Sequence, residues 1–387
     1  MPRPAFAAVL PALLLSAAPL AAQDIRIAQF NASLNRDTAG DLAEALAAGD
    51  DPQIIAIAQV IIAVAPDVLL INEFDYGEGL IDQFVDTYLG GAYPYTFVAP
   101  SNTGLASGVD LNNDGQIVTE PGRFDYAGDA FGFGTFEGQY GMAVISRFPI
   151  DEAALRTFQT FLWTDMPGAR LPLTEEGRSY YSDDALAIFR LSSKSHWDVP
   201  ITVDGQTIHL LASHPTPPVF DGPEDRNGTR NADEIRFWAD YVQGADYMYD
   251  DAGGTGGLPD GAHFVIAGDL NADPFDGDTV PGAAQQLLDL PLINTSRTPS
   301  SEGGPIMAEA QGGTNEDHRG DPEFDTADFG DDPDRFGPGN LRVDYVLPSA
   351  TLDLTDAGIF WPTGDDPLAD AVTESDHRLV WIDITLP

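Results

Sequence analysis

Strand-length apolar runs recur along this chain, and several follow one another with no helix between them. The first, Ile25-Arg26-Ile27-Ala28-Gln29-Phe30-Asn31, alternates apolar and polar residues, the period of an extended strand. The next, Asp67-Val68-Leu69-Leu70-Ile71-Asn72-Glu73, is apolar at its centre and reads as a buried strand that ends in polar groups. The same patterning predicts strands at 94–99, 140–147, 185–191, 197–203, 207–213, 263–268, 341–347 and 378–385. Helices are predicted at 52–65, 79–88, 230–247 and 282–289. A strictly alternating strand–helix order would not leave so many strands adjacent. Two sheets packed face to face with helices outside accommodate them, an α/β fold in the broad α+β sense. No repeat or linker divides the chain, so residues 23–387 are predicted to form one domain. A Gly- and Asp-rich stretch at 101–139 and a Gly/Asp/Pro-rich stretch at 297–340 read as loop insertions, where function or disorder is usual.

Charge narrows the partners. The chain has 62 Asp and Glu against 18 Lys and Arg, a net charge of −44, and its single lysine is Lys194. Such a field repels polyphosphate chains, which disfavours passive binding of nucleic acid. An anionic substrate then needs a metal ion or a local arginine cluster. The absence of cysteine removes disulfides, thiol nucleophiles and thiolate zinc sites. Hydrophobic residues make up 43% of the chain, with 21 Phe and 5 Trp, enough for a sizeable core.

Residues 1–22 combine an early Arg3, a Leu/Ala-rich run broken by Pro11 and Pro19, and small residues before Gln23. That is the layout of a cleaved secretory signal peptide, so the mature chain is expected to be secreted or periplasmic, with no membrane span.

Polar groups stand where the apolar periodicity stops. Asn31 closes the first strand and Glu73 the second. Phe264-Val265-Ile266-Ala267-Gly268-Asp269-Leu270-Asn271 runs from a strand into a turn with an acid and an amide two residues apart, so both can address one site. Glu374-Ser375-Asp376-His377 directly precedes the last strand. This set resembles the endonuclease/exonuclease/phosphatase superfamily, the deoxyribonuclease-I-like fold. Further matching pieces are Gly141 to Arg147, Ser213-His214 and Arg342-Val343-Asp344-Tyr345-Val346.

The resemblance implies a four-layer α/β/β/α sandwich, two mixed sheets with the site at one edge, in a phosphoesterase acting on phosphoester bonds. It implies Glu73, Asn31 and Asp376 as ligands of Mg²⁺ or Mn²⁺. It makes Asp269 the group that orients the attacking water, Asn271 a donor to the phosphoryl oxygen, and His377 a phosphate-binding or proton-transfer residue held by Asp344. His214 would be a second phosphate-facing histidine. The Ser213-His214 step and Asn72 depart from the usual Thr-His and Gln, which bears on substrate rather than reaction type. A small or exposed phosphoester, as substrate of a phosphatase or phosphodiesterase, is the reading favoured by charge. An extracellular nuclease and a non-catalytic calcium-dependent binding module are the alternatives.

Two further features lie outside that set. Arg226, Arg230 and Arg236 follow His214, and Arg230 is read either as a phosphate clamp or as an i,i+4 partner of Glu234. Asp110, Asn112, Asp114 and Gln116 sit at the odd positions of a loop with Gly115 sixth, the pattern of a structural Ca²⁺ site, although its twelfth position is Pro121. His196, His209 and His263 lie in or beside strands and read as structural.

Overall fold

The computed structural model describes residues 24–331 and 337–387; the expected signal peptide lies outside the described residues. Strands β1 (Ile25–Leu34), β2 (Val68–Phe74), β3 (Tyr95–Phe97) and β4 (Met142–Ser146) are followed by β5 (Arg156–Thr157), β6 (His196–Val203), β7 (Gln206–Ser213) and β8 (His263–Asp269). Then come β9 (Ala327–Asp328), β10 (Asn340–Leu341), β11 (Asp344–Pro348), β12 (Asp353–Phe360) and β13 (Leu379–Thr385). One sheet has the order β12-β13-β1-β2-β4-β3 and the other β11-β8-β7-β6-β5, while β9 and β10 form a small ribbon. Both sheets are mixed, since β1–β2 and β7–β8 are parallel and their neighbours antiparallel.

Helices α1 (Asp41–Ala48), α2 (Pro52–Val64) and α3 (Leu80–Tyr88) cover the first sheet. Shorter α4 (Phe124–Gly128) and α5 (Asp183–Leu186) precede α6 (Arg226–Val242), α7 (Gln285–Leu288) and α8 (Gly303–Gln311). α6 and α7 pack on the second sheet. Among the described residues no single helix is long and apolar enough to cross a membrane.

Three apolar layers follow from strand period. Ile25, Ile27, Val68, Leu70 and Val144 of the first sheet meet Val199, Leu210, Val265 and Val346 of the second between the sheets. The opposite faces, Phe30, Leu69 and Ile71, meet Ile54, Ile57 and Ile61 of α2. That helix starts because Asp51 accepts the Ile54 N–H and Pro52 occupies the first turn. On the far side Leu211, Phe264 and Ile266 pack against Ile235, Trp238 and Tyr241 of α6.

The expected strand at 185–191 is not one. Ser182 accepts the Ala185 N–H, and Asp183 and Asp184 favour the first turn of α5, so the apolar run begins in a helical turn. β12, which no sequence pattern announced, is an edge strand whose Asp353 and Asp356 face solvent and hide the alternation. The 297–340 stretch carries α8 and the β9–β10 ribbon.

His196 is buried at the start of β6, with Nε2 2.9 Å from the Glu234 carbonyl and Nδ1 2.5 Å from Ser192 Oγ. Burial pushes its pKa down to about 4. An unfolded imidazole titrates near ~6.5, so stability is full above that pH and is lost as pH falls toward 4, by up to about 3 kcal/mol. Denaturant titrations at neutral and acid pH should show this loss in the wild type and a smaller one in His196→Gln. A second expectation concerns Gly268, where an added Cβ would lie 2.2 Å from the Ser213 carbonyl oxygen. Gly268→Ala should cost about 1–3 kcal/mol in the same assay.

Candidate active site

The strand faces that are apolar at the centre of the sandwich turn polar at one edge. On β1 the face of Ile25 and Ile27 continues as Gln29 and Asn31, and on β2 the face of Val68 and Leu70 continues as Asn72. On β8 Val265 and Ala267 are followed by Asp269; on β11 Val346 is preceded by Asp344; beyond β7 Leu210 and Ala212 are followed by His214. The two-residue period therefore carries five strands' polar groups into one space between the sheets. All of these residues are buried.

Asp269 is the centre. Its Oδ2 accepts from Asn31 Nδ2 at 3.0 Å and lies 3.3 Å from His214 Nε2 and 3.6 Å from His377 Nε2. Its Oδ1 accepts the backbone N–H of Asn271 at 2.9 Å. Asp344 is the register partner of Asp269 on the neighbouring strand, and its Oδ2 lies 2.9 Å from His377 Nδ1. Asp269, Asp344 and His377 offer ligand-type atoms within 4.8 Å of one another, the one such acid/histidine group among the described residues. His377 is set in place by its backbone: Ser375 Oγ accepts the His377 N–H and donates to the Asn31 carbonyl.

Electrostatics separates the two histidines. Burial disfavours a charged His377, but Asp344, Asp269 and Asp376 outweigh it and hold the imidazolium well above its usual pKa. His214 goes the other way, pushed down to about 4 by burial and by the Lys194 charge against the pull of Asp269. Burial alone would raise Asp269, yet His377, His214 and Asn31 pull it below the usual carboxylate range. Glu73 takes a left-handed backbone, φ 58°, at the end of β2. Burial raises its carboxyl to about 7, opposed by His377 and Asn31 and assisted by Asp376 and Asp269. An acid held among like charges in this way is suited to a cation partner.

Asn31, Glu73, His214, Asp269, Asn271, Asp344, Asp376 and His377 thus come together, Asp376 at the exposed rim with Oδ1 accepting from Ser33 Oγ at 3.0 Å. Asn271 is also left-handed, φ 51°, and its Nδ2 donates to the Pro215 carbonyl at 3.2 Å. Arg230 is spent elsewhere. It is buried, its Nε donates to the Leu191 carbonyl at 2.8 Å and its Nη2 to the Phe131 and Arg190 carbonyls, so it staples loops together. It makes neither the expected ion pair with Glu234 nor a free clamp, whereas Arg236 does pair with Asp240 at 3.2 Å. In the 110–116 loop, Asp110 accepts from the Asp114 and Gly115 N–H, Asn112 from Asp114, and Asp114 from Gln116. These side chains close on the loop's own backbone.

Asn72, read from the sequence only as a departure from the usual Gln, has a structural role that the motif did not reveal. Its Oδ1 accepts from Gln29 Nε2 at 2.9 Å in the first sheet and from the Asp269 N–H at 3.1 Å in the second. One amide thus ties the sheets together at the residue on which the site turns. The signal was present: Asn72 shares the period-two face of Val68 and Leu70, where a polar side chain must find partners.

No curated protein sequence matches this chain. Among solved structures it is similar to an endonuclease/exonuclease/phosphatase from Beutenbergia cavernae DSM 12333, with TM-score 0.50 and 18% identity over 94% of this chain and 72% of that one. It is similar too to an endonuclease/exonuclease/phosphatase family protein from Leptotrichia buccalis C-1013-b, TM-score 0.47 and 13% identity, over 94% and 100% of the two chains. Sphingomyelinase C from Streptomyces griseocarneus gives TM-score 0.46 and 15% identity over 93% and 99%. At such identities the likeness concerns the fold alone. The sequence profile of the Endonuclease/Exonuclease/phosphatase family, whose members are generally hydrolases acting on phosphoester bonds, matches residues 28–377. That span takes in every strand end that feeds the site, and the chain belongs to this family.

Proposed function

We propose that this chain is an exported, divalent-metal-dependent phosphoesterase that cleaves small or exposed phosphoesters by direct attack of water. The observation that carries the reading is the convergence on Asp269 of Asn31, His214 and His377, with Asp344 behind His377. A carboxylate kept ionised by those neighbours can orient a water and accept its proton. His377, a cation backed by Asp344, can bind the phosphoryl oxygens or pass a proton to the leaving group. Asn271, fixed through Pro215, has a second amide N–H to offer as charge builds on phosphorus.

Glu73, Asn31 and Asp376 are the residues that would hold Mg²⁺ or Mn²⁺. The donor set fits, because it is made of hard oxygens and includes a carboxyl whose charge burial disfavours and a cation would restore. Bound there, the cation would draw charge from a phosphoryl oxygen. No cysteine, serine elbow or other nucleophile accompanies the acids, which favours a single displacement without a covalent intermediate. The leader at 1–22 supports export.

Three substrates separate the possibilities: bis-p-nitrophenyl phosphate, p-nitrophenyl phosphate and plasmid DNA, each with EDTA, Mg²⁺, Mn²⁺ or Ca²⁺. Turnover should require metal, and Asp269→Ala and His377→Ala should each lower kcat/KM by about 10²–10⁴-fold. Failure to hydrolyse any of the three with any metal would sink the reading and favour a binding module. Ionic strength provides a second check. Salt should change hydrolysis of the small esters little, while any DNA cleavage should rise with salt as repulsion from the acidic protein is screened. A DNA rate that leads the small esters at low salt would make the enzyme a nuclease instead.

A further inference from the structure

The chain has one lysine and buries it: Lys194 is 6% exposed. It sits in the turn that leads into β6, and that turn is pinned on three sides. Its own carbonyl accepts the Asn102 N–H at 2.8 Å, the Ser193 N–H donates to Glu234 Oε1 at 2.6 Å, and Ser193 Oγ donates to the His214 carbonyl at 3.3 Å. The backbone is thereby held beside His214. Among the described residues the ammonium has neither a hydrogen bond nor an ion pair. With its neighbour Ser193 bonded to both Glu234 and the His214 carbonyl, its charge is felt by Glu234 foremost and then by Glu73, Asp269 and His214.

Burial of the Lys194 side chain disfavours its charged form. A purely structural lysine would be expected to neutralise Glu234, the buried acid of α6. That acid is already satisfied, since Oε1 accepts from Ser193 and Oε2 from the Thr216 N–H at 2.6 Å. The other buried cation nearby, Arg230, spends its donors on backbone carbonyls. An oxyanion approaching Asp269 and Glu73 would meet strong repulsion, and Lys194 is placed to offset it together with the His377 imidazolium.

We propose that Lys194 is a substrate-binding residue whose ammonium takes a non-bridging oxygen of the phosphoryl group beside Asp269. This rests on the phosphoesterase reading above, and the test separates the two. Inorganic phosphate is the probe, measured as an inhibitor of the wild type and of Lys194→Met with Mg²⁺ present. The expected result is a rise in phosphate Ki and in KM of at least about tenfold in the variant, with an unfolding midpoint equal to or above that of the wild type. A merely structural lysine would lower the midpoint and leave the phosphate Ki within about twofold, overturning the proposal.

Because the lysine is single, ¹⁵N-lysine labelling yields one side-chain resonance in the unmutated protein, whether or not the variant folds. Saturable movement of that resonance with phosphate supports the contact; no movement at concentrations that inhibit the enzyme overturns it. If the wild type hydrolyses no phosphoester while phosphate still moves the resonance, the enzymatic reading fails and the anion site stands.

Discussion

Placing an ionised carboxylate between two sheets costs several kcal/mol unless its lone pairs find donors. Asp269 finds them on both oxygens: the Asn271 N–H on one, and Asn31 with the nearby His214 ring on the other, while the His377 cation 3.6 Å away adds charge compensation. Those donors come from the ends of β1, β7 and β13 as well as from the turn after β8. The sheets must therefore meet in one register for the charge to be satisfied, and Asn72 ties them at that place by accepting from both Gln29 and the Asp269 N–H. Remove the carboxylate and its donors lose their common partner. Remove a donor and a buried charge is left partly bare, the costlier defect.

The same arrangement explains the division of labour between two buried histidines. His377 is flanked by Asp344 and Asp269, which favour the charged ring; His214 has Asp269 but also Lys194, and burial prevails. Two imidazoles close to one carboxylate are thus held in opposite states by what stands behind them. Pairs of groups driven apart in this way are a recurrent mark of acid–base chemistry. In a chain of net charge −44, the few cations are correspondingly specialised. Arg230 staples the loops at 131 and 190–191, Arg156 pairs with Asp250 at 2.6 Å, and Lys194 alone stays unpaired among the described residues near the site.

Much of the architecture was legible in the sequence because its cause is local. The alternation in Ile25 to Asn31, the apolar run ending at Glu73, and the Asp51-Pro52 start of α2 are dictated by neighbours a few residues away. The helical turn at Asp183 was missed because Ser182 acts as a cap within an otherwise strand-like run. β12 was missed because an edge strand needs only one buried face and little alternation. Asp269, Asn271, Asp376 and His377 stood out as polar residues where periodicity stops, whereas Asn72 and Lys194 were visible only as a departure from the usual Gln and as the single lysine, since the role of each depends on groups far along the chain.

By itself the sequence determined the strand faces, the polar strand ends, the lack of thiol chemistry and the excess of acid, all properties of residue type and short spacing. Tertiary structure alone decided which ends meet. It set Asp344 opposite Asp269 through the β8–β11 register, brought His377 to both, and turned Arg230 inward to backbone carbonyls rather than toward an anion. The physical reason is that hydrogen-bond partners and burial are shared between segments 40 to 240 residues apart, such as Ser193 with Glu234 and Asn31 with Asp269. No local pattern encodes such a distance, and only the packed sheets enforce it.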